Sequence, residues 1–303
     1  MQRRDRLYNN LEKAENFIWE LLYTSRLLYD MDFKKTLAIN QKYKDKFKGK
    51  RCFILGNGPS LNKQGNLELL ENEIVFSVNQ FYRSDLFKLV KPNFHLMVDP
   101  LFFSLNEKDS TDYDTLKRMQ ELKNNNNLVC IFPYTAKDFV ENYKINNENT
   151  LYIHSRYRMH DNYKKSIRMD RSLPLIQNVV HGAIYCAIYM GFTEIYLMGV
   201  DMTNILTSYI KEETELNIEK EHVYTYTENE KKRMLRVRNS NDNETMLKLH
   251  GIIFSVFRNI YEYCDQRNIK IYNATISGGL DNIPRIKYED VVLNNRNMNG
   301  GTL

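Results

Sequence analysis

Long apolar runs, closely spaced cysteines and a signal-type leader are all missing from this 303-residue chain. No stretch approaches the roughly 18 consecutive apolar residues that a membrane-crossing helix needs. Arg3, Arg4 and Arg6 open the chain without the apolar run and small-residue cleavage site of a secretory leader, which predicts a cytoplasmic location. Only four cysteines occur (Cys52, Cys130, Cys186, Cys264), too far apart for metal-ligand or redox spacing, so they read as buried free thiols. Internal repeats are absent. A block of one charge sign is absent too: the net charge of +5 comes from dispersed residues. That argues against a nucleic-acid binder, yet suits a phosphate-bearing ligand or an anionic membrane surface.

What is present is a globular composition, 42% hydrophobic and 27% charged, long enough for one α/β domain with a sizeable core. Residues 1–48 read as a charged helical extension. Phe17, Ile18, Leu21, Leu22, Ser25 and Leu28 give it an imperfect apolar stripe. Such a stripe packs on the domain, meets another subunit in a homo-oligomer, or makes a peripheral contact with the inner face of a membrane. From residue 50, β-rich runs alternate with helical segments. The expected strands are Cys52–Leu55, Ile74–Asn79, Phe94–Asp99, Leu128–Phe132, Leu151–Ser155, Glu194–Gly199 and Ile269–Tyr272. Helices are expected at Asp114–Lys123, Asn178–Met190 and Thr245–Arg267. This alternation predicts right-handed crossovers and a Rossmann-like, mostly parallel sheet flanked by helices, over residues 49–292. The polar, weakly periodic interval of about 203–244 reads as a lid insertion, and 293–303 as a flexible tail.

Ligands of open parallel sheets bind beyond the carboxyl ends of the strands, and here the strand exits are polar. The first leads into Gly56-Asn57-Gly58-Pro59-Ser60, the second into Asn79-Gln80, the third into Asp99-Pro100. Later exits give His154-Ser155-Arg156, Gly199-Val200-Asp201 and Asn273-Ala274-Thr275. Any one of these would serve as a turn or helix cap; their coincidence predicts a shared polar crevice. Two glycines in the first turn would let the backbone approach a ligand, with amides entering a helix N-terminus to favour an anion. The turn is no P-loop, lacking Gly-Lys-Ser/Thr, and no dinucleotide fingerprint, lacking the third glycine.

Histidine supplies the candidate bases, since its ordinary pKa near 6.5 suits proton transfer around neutrality. His181 stands before Gly182 at the start of an apolar helix, while His222 and His250 lie in or just after the expected lid. His95 sits inside an apolar strand and reads as structural. His154 and His160 flank a basic segment, Arg156 to Arg171, that reads as a solvated face or a dock for an acidic group. Asp30-Met31-Asp32 has the spacing of the carboxylate pair of metal-dependent sugar transferases but falls in the helical extension, at no strand exit. No metal site is expected.

Several of these segments resemble a known family. Cys52-Phe-Ile-Leu-Gly-Asn-Gly-Pro-Ser-Leu61, Ser77-Val-Asn-Gln-Phe-Tyr82, Asp99-Pro-Leu-Phe-Phe103 and the stretch from Gly182 to Asp201 resemble the bacterial lipooligosaccharide sialyltransferases. The last stretch, with Ile269-Lys-Ile-Tyr-Asn-Ala-Thr275, is also similar to the MptE-like family, which includes a pterin pyrophosphokinase and many proteins of surface-glycan clusters. The resemblance implies a metal-independent, inverting glycosyltransferase. It would take a nonulosonic sugar from a CMP-activated donor, with no other cofactor, to a glycan or glycolipid acceptor. Asn57 and Gly58 would then hold the phosphate region, Asn79 the nucleotide or its ribose, and Asp201 with the backbone of Gly199 and Val200 the nucleoside. The base would be His250 or His222, and the lid tyrosines Tyr209, Tyr224 and Tyr226 are candidates to bond the departing phosphate. Two residues depart from the family pattern: Asp99 replaces an Asn and His181 replaces a Ser. The alternatives are an MptE-like pyrophosphokinase using ATP and Mg²⁺, with Asp99 and Asp201 as ligands, or a non-catalytic nucleotide-sugar-binding protein of glycan assembly.

Overall fold

The computed structural model describes residues 2–203, 222–239 and 242–299. Eight strands form one sheet, all parallel: β1 (Arg51–Leu55), β2 (Val75–Val78), β3 (Phe94–Leu96), β4 (Val129–Pro133), β5 (Leu151–Tyr157), β6 (Ser172–Pro174), β7 (Glu194–Met198) and β8 (Lys270–Asn273). Their spatial order is β6-β5-β4-β3-β2-β1-β7-β8. The chain therefore builds outward from β1 in one direction and then returns to its other side, with Phe53 opposite both Val75 and Tyr196. Ligands of open α/β sheets bind outside the carboxyl ends of the strands near such a reversal.

Both faces of the sheet are covered, which is why the strand bodies are largely apolar and carry no regular alternation with polar residues. Cys52 and Ile54 of β1, Phe76 and Val78 of β2, and Ile195 and Leu197 of β7 join one core. Phe53, Leu55, Val75, Tyr196 and Met198 point the other way into a second. The first core is closed by α6 (Val179–Tyr189), capped by the Asn178 side chain on the Val180 N–H, and by α8 (Asn243–Asp265). Against the second lie α3 (Asp85–Val90), capped by Ser84, and α9 (Tyr288–Asn299). A third cluster, under α4 (Ser110–Gln120) and α5 (Lys137–Asn142), covers β3 to β5. All four cysteines are wholly buried, and burial raises their thiol pKa values, to about 12 at Cys130 and Cys264.

The N-terminal extension is α1 (Gln2–Tyr29) and α2 (Met31–Ala38), laid along β5. Asn16 exchanges two hydrogen bonds with the Arg158 backbone, at 3.0 and 2.7 Å. Tyr23 stacks on His154, and Arg156 sits 3.6 Å above the Trp19 ring. The basic segment thus meets acidic groups of α1 itself: Arg158 pairs with Glu15, and Lys165 with Glu20. Asp30 caps α2, and Asp32 bonds Lys137 and Tyr134, so the Asp30-Met31-Asp32 pair is used in docking α2.

The seven expected strands are all present. Edge strand β6 was not legible, being three residues long and ending in Pro174. The last helix runs through Asn299, past Val292 where the tail was expected to begin. Within the expected lid, Glu228–Asn239 form α7, packed on α4. Tyr209 lies outside the described residues.

Candidate functional site

A cavity of about 120 Å³ opens at the carboxyl ends of β1, β2 and β3. Its floor comes from strand exits: Asn57 after β1, Asn79 and Gln80 after β2, Asp99 after β3. Its roof is His222, Tyr224, Tyr226, Glu230 and Arg233. The side-chain amide of Asn57 donates to the Val78 carbonyl at 3.2 Å, but its Oδ1 has no hydrogen-bond partner among the described residues. Asn79 Oδ1 has none either. Asn79 also holds a left-handed backbone, φ 47°, a conformation that side chains other than Gly and Asn rarely adopt. Buried amide oxygens without donors are costly, so two of them in one cavity mark a place where ligand donors belong.

The roof is a compact aromatic group. Tyr226 Oη lies 3.1 Å from His222 Nδ1 and 3.3 Å from Tyr224 Oη, and the His222 and Tyr224 rings are 5.1 Å apart. Beneath it Arg83 is buried with Glu230, their side chains 1% and 4% exposed and paired at 2.7 Å. Arg83 also donates to Gln80 Oε1 and the Thr225 carbonyl, while its guanidinium faces the Tyr224 ring at 5.0 Å. Glu230 accepts from Thr115 Oγ1 and the Thr227 N–H. Burial pushes the Glu230 carboxyl upward, but the Thr227 N–H, Arg83 and Thr115 outweigh it and hold the pKa below its ordinary value. The Val223 N–H donates to the Asn57 carbonyl at 2.9 Å, tying roof to floor. Asp99 is half-buried; desolvation raises its pKa, opposed by the Leu101 N–H and Arg233.

A family model described as 6-hydroxymethylpterin diphosphokinase MptE-like matches residues 30–205, a span holding every strand but β8. The chain belongs to the MptE-like family. Among solved structures, this MptE-like protein is similar to the sialyltransferase CstII from Campylobacter jejuni in complex with cytidine-5'-monophosphate. That match has 19% identity and a TM-score of 0.42, covering 79% of this chain and 85% of that one. The CMP-3FNeuAc complex of CstII gives 19% identity and a TM-score of 0.40, over 78% and 86% of the two chains. No curated protein matches the chain.

Within this MptE-like protein the residues singled out by sequence fall into three groups. Asn57, Asn79, Gln80, Asp99, His222 and Tyr224 meet in the cavity, with Tyr226. Gly56, Gly58, Ser60, Gly199, Val200 and Asp201 form a brace beside it. The Gly56 and Gly58 amides donate to the Met198 and Gly199 carbonyls at 2.8 Å, and Ser60 gives both its N–H and its hydroxyl to the Asp201 carboxylate. A Cβ on Gly56 would stand 2.3 Å from the Gly199 carbonyl oxygen, and one on Gly58 2.4 Å from the Asp201 carboxyl. The glycines thus let the turn approach the exit of β7. The amides of Gly58 and Ser60, expected to meet a ligand phosphate, already serve Gly199 and Asp201. Desolvation raises the Asp201 pKa against the two Ser60 bonds.

His181, Gly182 and His250 form the third group, away from the cavity lining. His181 is wholly buried against Phe257, its pKa pushed down to about 3 by burial. Burial likewise lowers the His250 pKa, partly offset by a hydrogen bond to the Met246 backbone. His95 is buried with Nδ1 2.8 Å from Ser77 Oγ, as a structural histidine would be. Arg83, Thr115, Glu230 and Arg233 were missed by sequence reasoning. Only Arg83 carried a signal, as the first charged residue after the Asn79-Gln80 exit.

Proposed function

We propose that this protein is a metal-independent inverting glycosyltransferase that takes a sialic-acid-like sugar from a CMP-activated donor to a surface-glycan acceptor. The observation that carries the reading is the cavity itself. Asn57 and Asn79, each with a buried amide oxygen that has no donor among the described residues, line it from the strand exits, and His222, Tyr226 and Tyr224 cover it. Amide oxygens suit the hydroxyls of a ribose or the amine of a cytosine. In the tautomer whose Nδ1–H donates to Tyr226, with Tyr226 donating on to Tyr224, Nε2 of His222 carries the lone pair that would take a proton. His222 then takes the proton of an acceptor hydroxyl as that oxygen bonds the anomeric carbon and the sugar–phosphate bond breaks through an oxocarbenium-like state, with CMP as the leaving group. The Tyr224 hydroxyl, the last donor of that hydrogen-bond chain, stabilises the charge growing on the phosphate. We prefer His222 to His250 as the base because it lines the cavity.

At about 120 Å³ the cavity is smaller than the roughly 300–1,000 Å³ of ordinary ligand sites. The roof, residues 222–234, therefore opens to admit the donor. A neighbouring cleft of about 410 Å³, between the Pro100–Phe103 turn and the ends of β4 and β5, offers room for the acceptor.

The second reading, a pyrophosphokinase using ATP and Mg²⁺, is favoured by family membership and by Asp99. The carboxylates it would need do not converge: Asp99 lines the cavity, whereas both oxygens of Asp201 accept from Ser60. Titration calorimetry with CMP, UDP, GDP and ATP, with and without Mg²⁺, separates the two. CMP binding that ignores Mg²⁺ is expected; Mg²⁺-dependent ATP binding without a CMP response overturns the transferase reading.

A further inference from the structure

Helix α1 has two faces of different character. Asn16 and Tyr23 are buried on the domain, with Trp19, Arg26 and Leu27 partly covered beside them. The opposite face carries Leu11, Ala14, Ile18, Leu21, Ser25 and Leu28, spaced 3-4-3-4-3, and it is exposed throughout. Exposure of its large apolar side chains runs from 52% at Leu22 to 81% at Leu28. In the sequence the same spacing reaches back to Leu7. Phe17 and Leu22 widen the stripe, and no charged residue interrupts it.

We infer that this face is a homodimer seam, occupied by α1 of a second copy of the chain. Alternating 3-4 spacing is the seven-residue repeat that keeps one narrow seam facing a partner helix, with Leu11, Ile18 and Ser25 at one core position and Ala14, Leu21 and Leu28 at the other. The borders fit a helix partner better than a bilayer. Lys13, Glu15, Glu20 and Arg26 are two of each sign, whereas a helix lying on anionic lipid carries a basic border. The area is sufficient as well. Six large apolar side chains exposing roughly 100 Å² each supply about 1,200 Å² across a symmetric pair, at the lower end of the range of specific interfaces. The domain side of α1 stays in place, since Asn16, Trp19 and Tyr23 already hold it to β5.

Sedimentation equilibrium of the full chain tests this. Wild type sediments at twice the chain mass. Ile18→Glu with Leu21→Glu gives a monomer with an unchanged circular dichroism spectrum, because both side chains are exposed in the monomer. The milder Leu21→Gln raises the dimer dissociation constant at least about tenfold, and Ser25→Leu, filling a polar core position, lowers it about tenfold. Lys13→Glu with Glu20→Lys leaves pairing intact. A monomeric wild type, or a dimer that survives Ile18→Glu with Leu21→Glu, overturns the inference. A monomeric wild type that co-floats with phosphatidylglycerol vesicles also overturns it and assigns the face to lipid.

Discussion

Replacing Arg83 by Met strikes the cavity roof from below. Arg83 and Glu230 are almost wholly buried, so removing the guanidinium leaves a carboxylate with only Thr115 and the Thr227 N–H as partners. Breaking a buried pair from one side costs about 3–5 kcal/mol. The Thr225 carbonyl and Gln80 lose their donor in the same step. That loss falls on the segment 222–239, whose opening lowers the protection of its amides. At about tenfold per 1.4 kcal/mol, hydrogen exchange in this segment should quicken by about a hundred- to several-thousand-fold, while β1 and β7 stay protected. The double variant Arg83→Met with Glu230→Gln should recover part of the difference, because no buried charge is then left alone. The sign of the pH effect follows from the Glu230 carboxyl being held below its ordinary value. Its stabilisation is present above the unfolded-state pKa, near 4.3, and is lost as the pH falls through the lower folded-state value. Wild type should therefore approach Arg83→Met in acid. Unchanged exchange across 222–239 in Arg83→Met at neutral pH would refute the idea that this pair pins the roof.

Three further outcomes are expected. His222→Ala should lower turnover by about 10²–10⁴ with nucleotide affinity retained, and His250→Ala should affect melting more than chemistry. Unchanged turnover in His222→Ala, with loss in His250→Ala, would move the base to α8. Asp99→Asn should tighten binding of a nucleotide phosphate at neutral pH and flatten its pH dependence. In wild type, binding should strengthen as the pH falls toward the raised Asp99 pKa and the repulsive charge is neutralised, a trend calorimetry at several pH values can check. Gly56→Ala should destabilise the protein by about 1–3 kcal/mol in urea melts, since its methyl would press on the Gly199 carbonyl; a neutral result would mean the turn can move aside.

The sheet was legible because the longer strands are largely apolar on both faces and most end in a polar exit. β6 was not, since Ser172–Pro174 gives too few residues for any pattern. The floor of the site was legible for the same topological reason: Asn57, Asn79 and Asp99 are what follow three neighbouring strands. The roof was only half legible. His222, Tyr224 and Tyr226 stood out as residue types, but Glu230 and Arg233 were two charges among many in a polar interval, and only tertiary packing brings them over the cavity. The Gly56–Ser60 turn shows the opposite limit. Its glycines were read as a close approach to a ligand, whereas the approach the structure shows is to the exit of β7, 141 residues away along the chain at Ser60 and Asp201, which local sequence cannot reveal.

The four wholly buried cysteines have a practical consequence. Thiolate, not thiol, reacts with maleimides, and burial both raises these thiol pKa values and shields the sulfurs. The native chain should be silent to such reagents while folded. A single cysteine introduced on the solvent side of α7, with a second near the Pro100–Phe103 turn, would therefore take up a fluorophore pair without removal of any native cysteine. The movement of the roof could then be followed in real time by energy transfer.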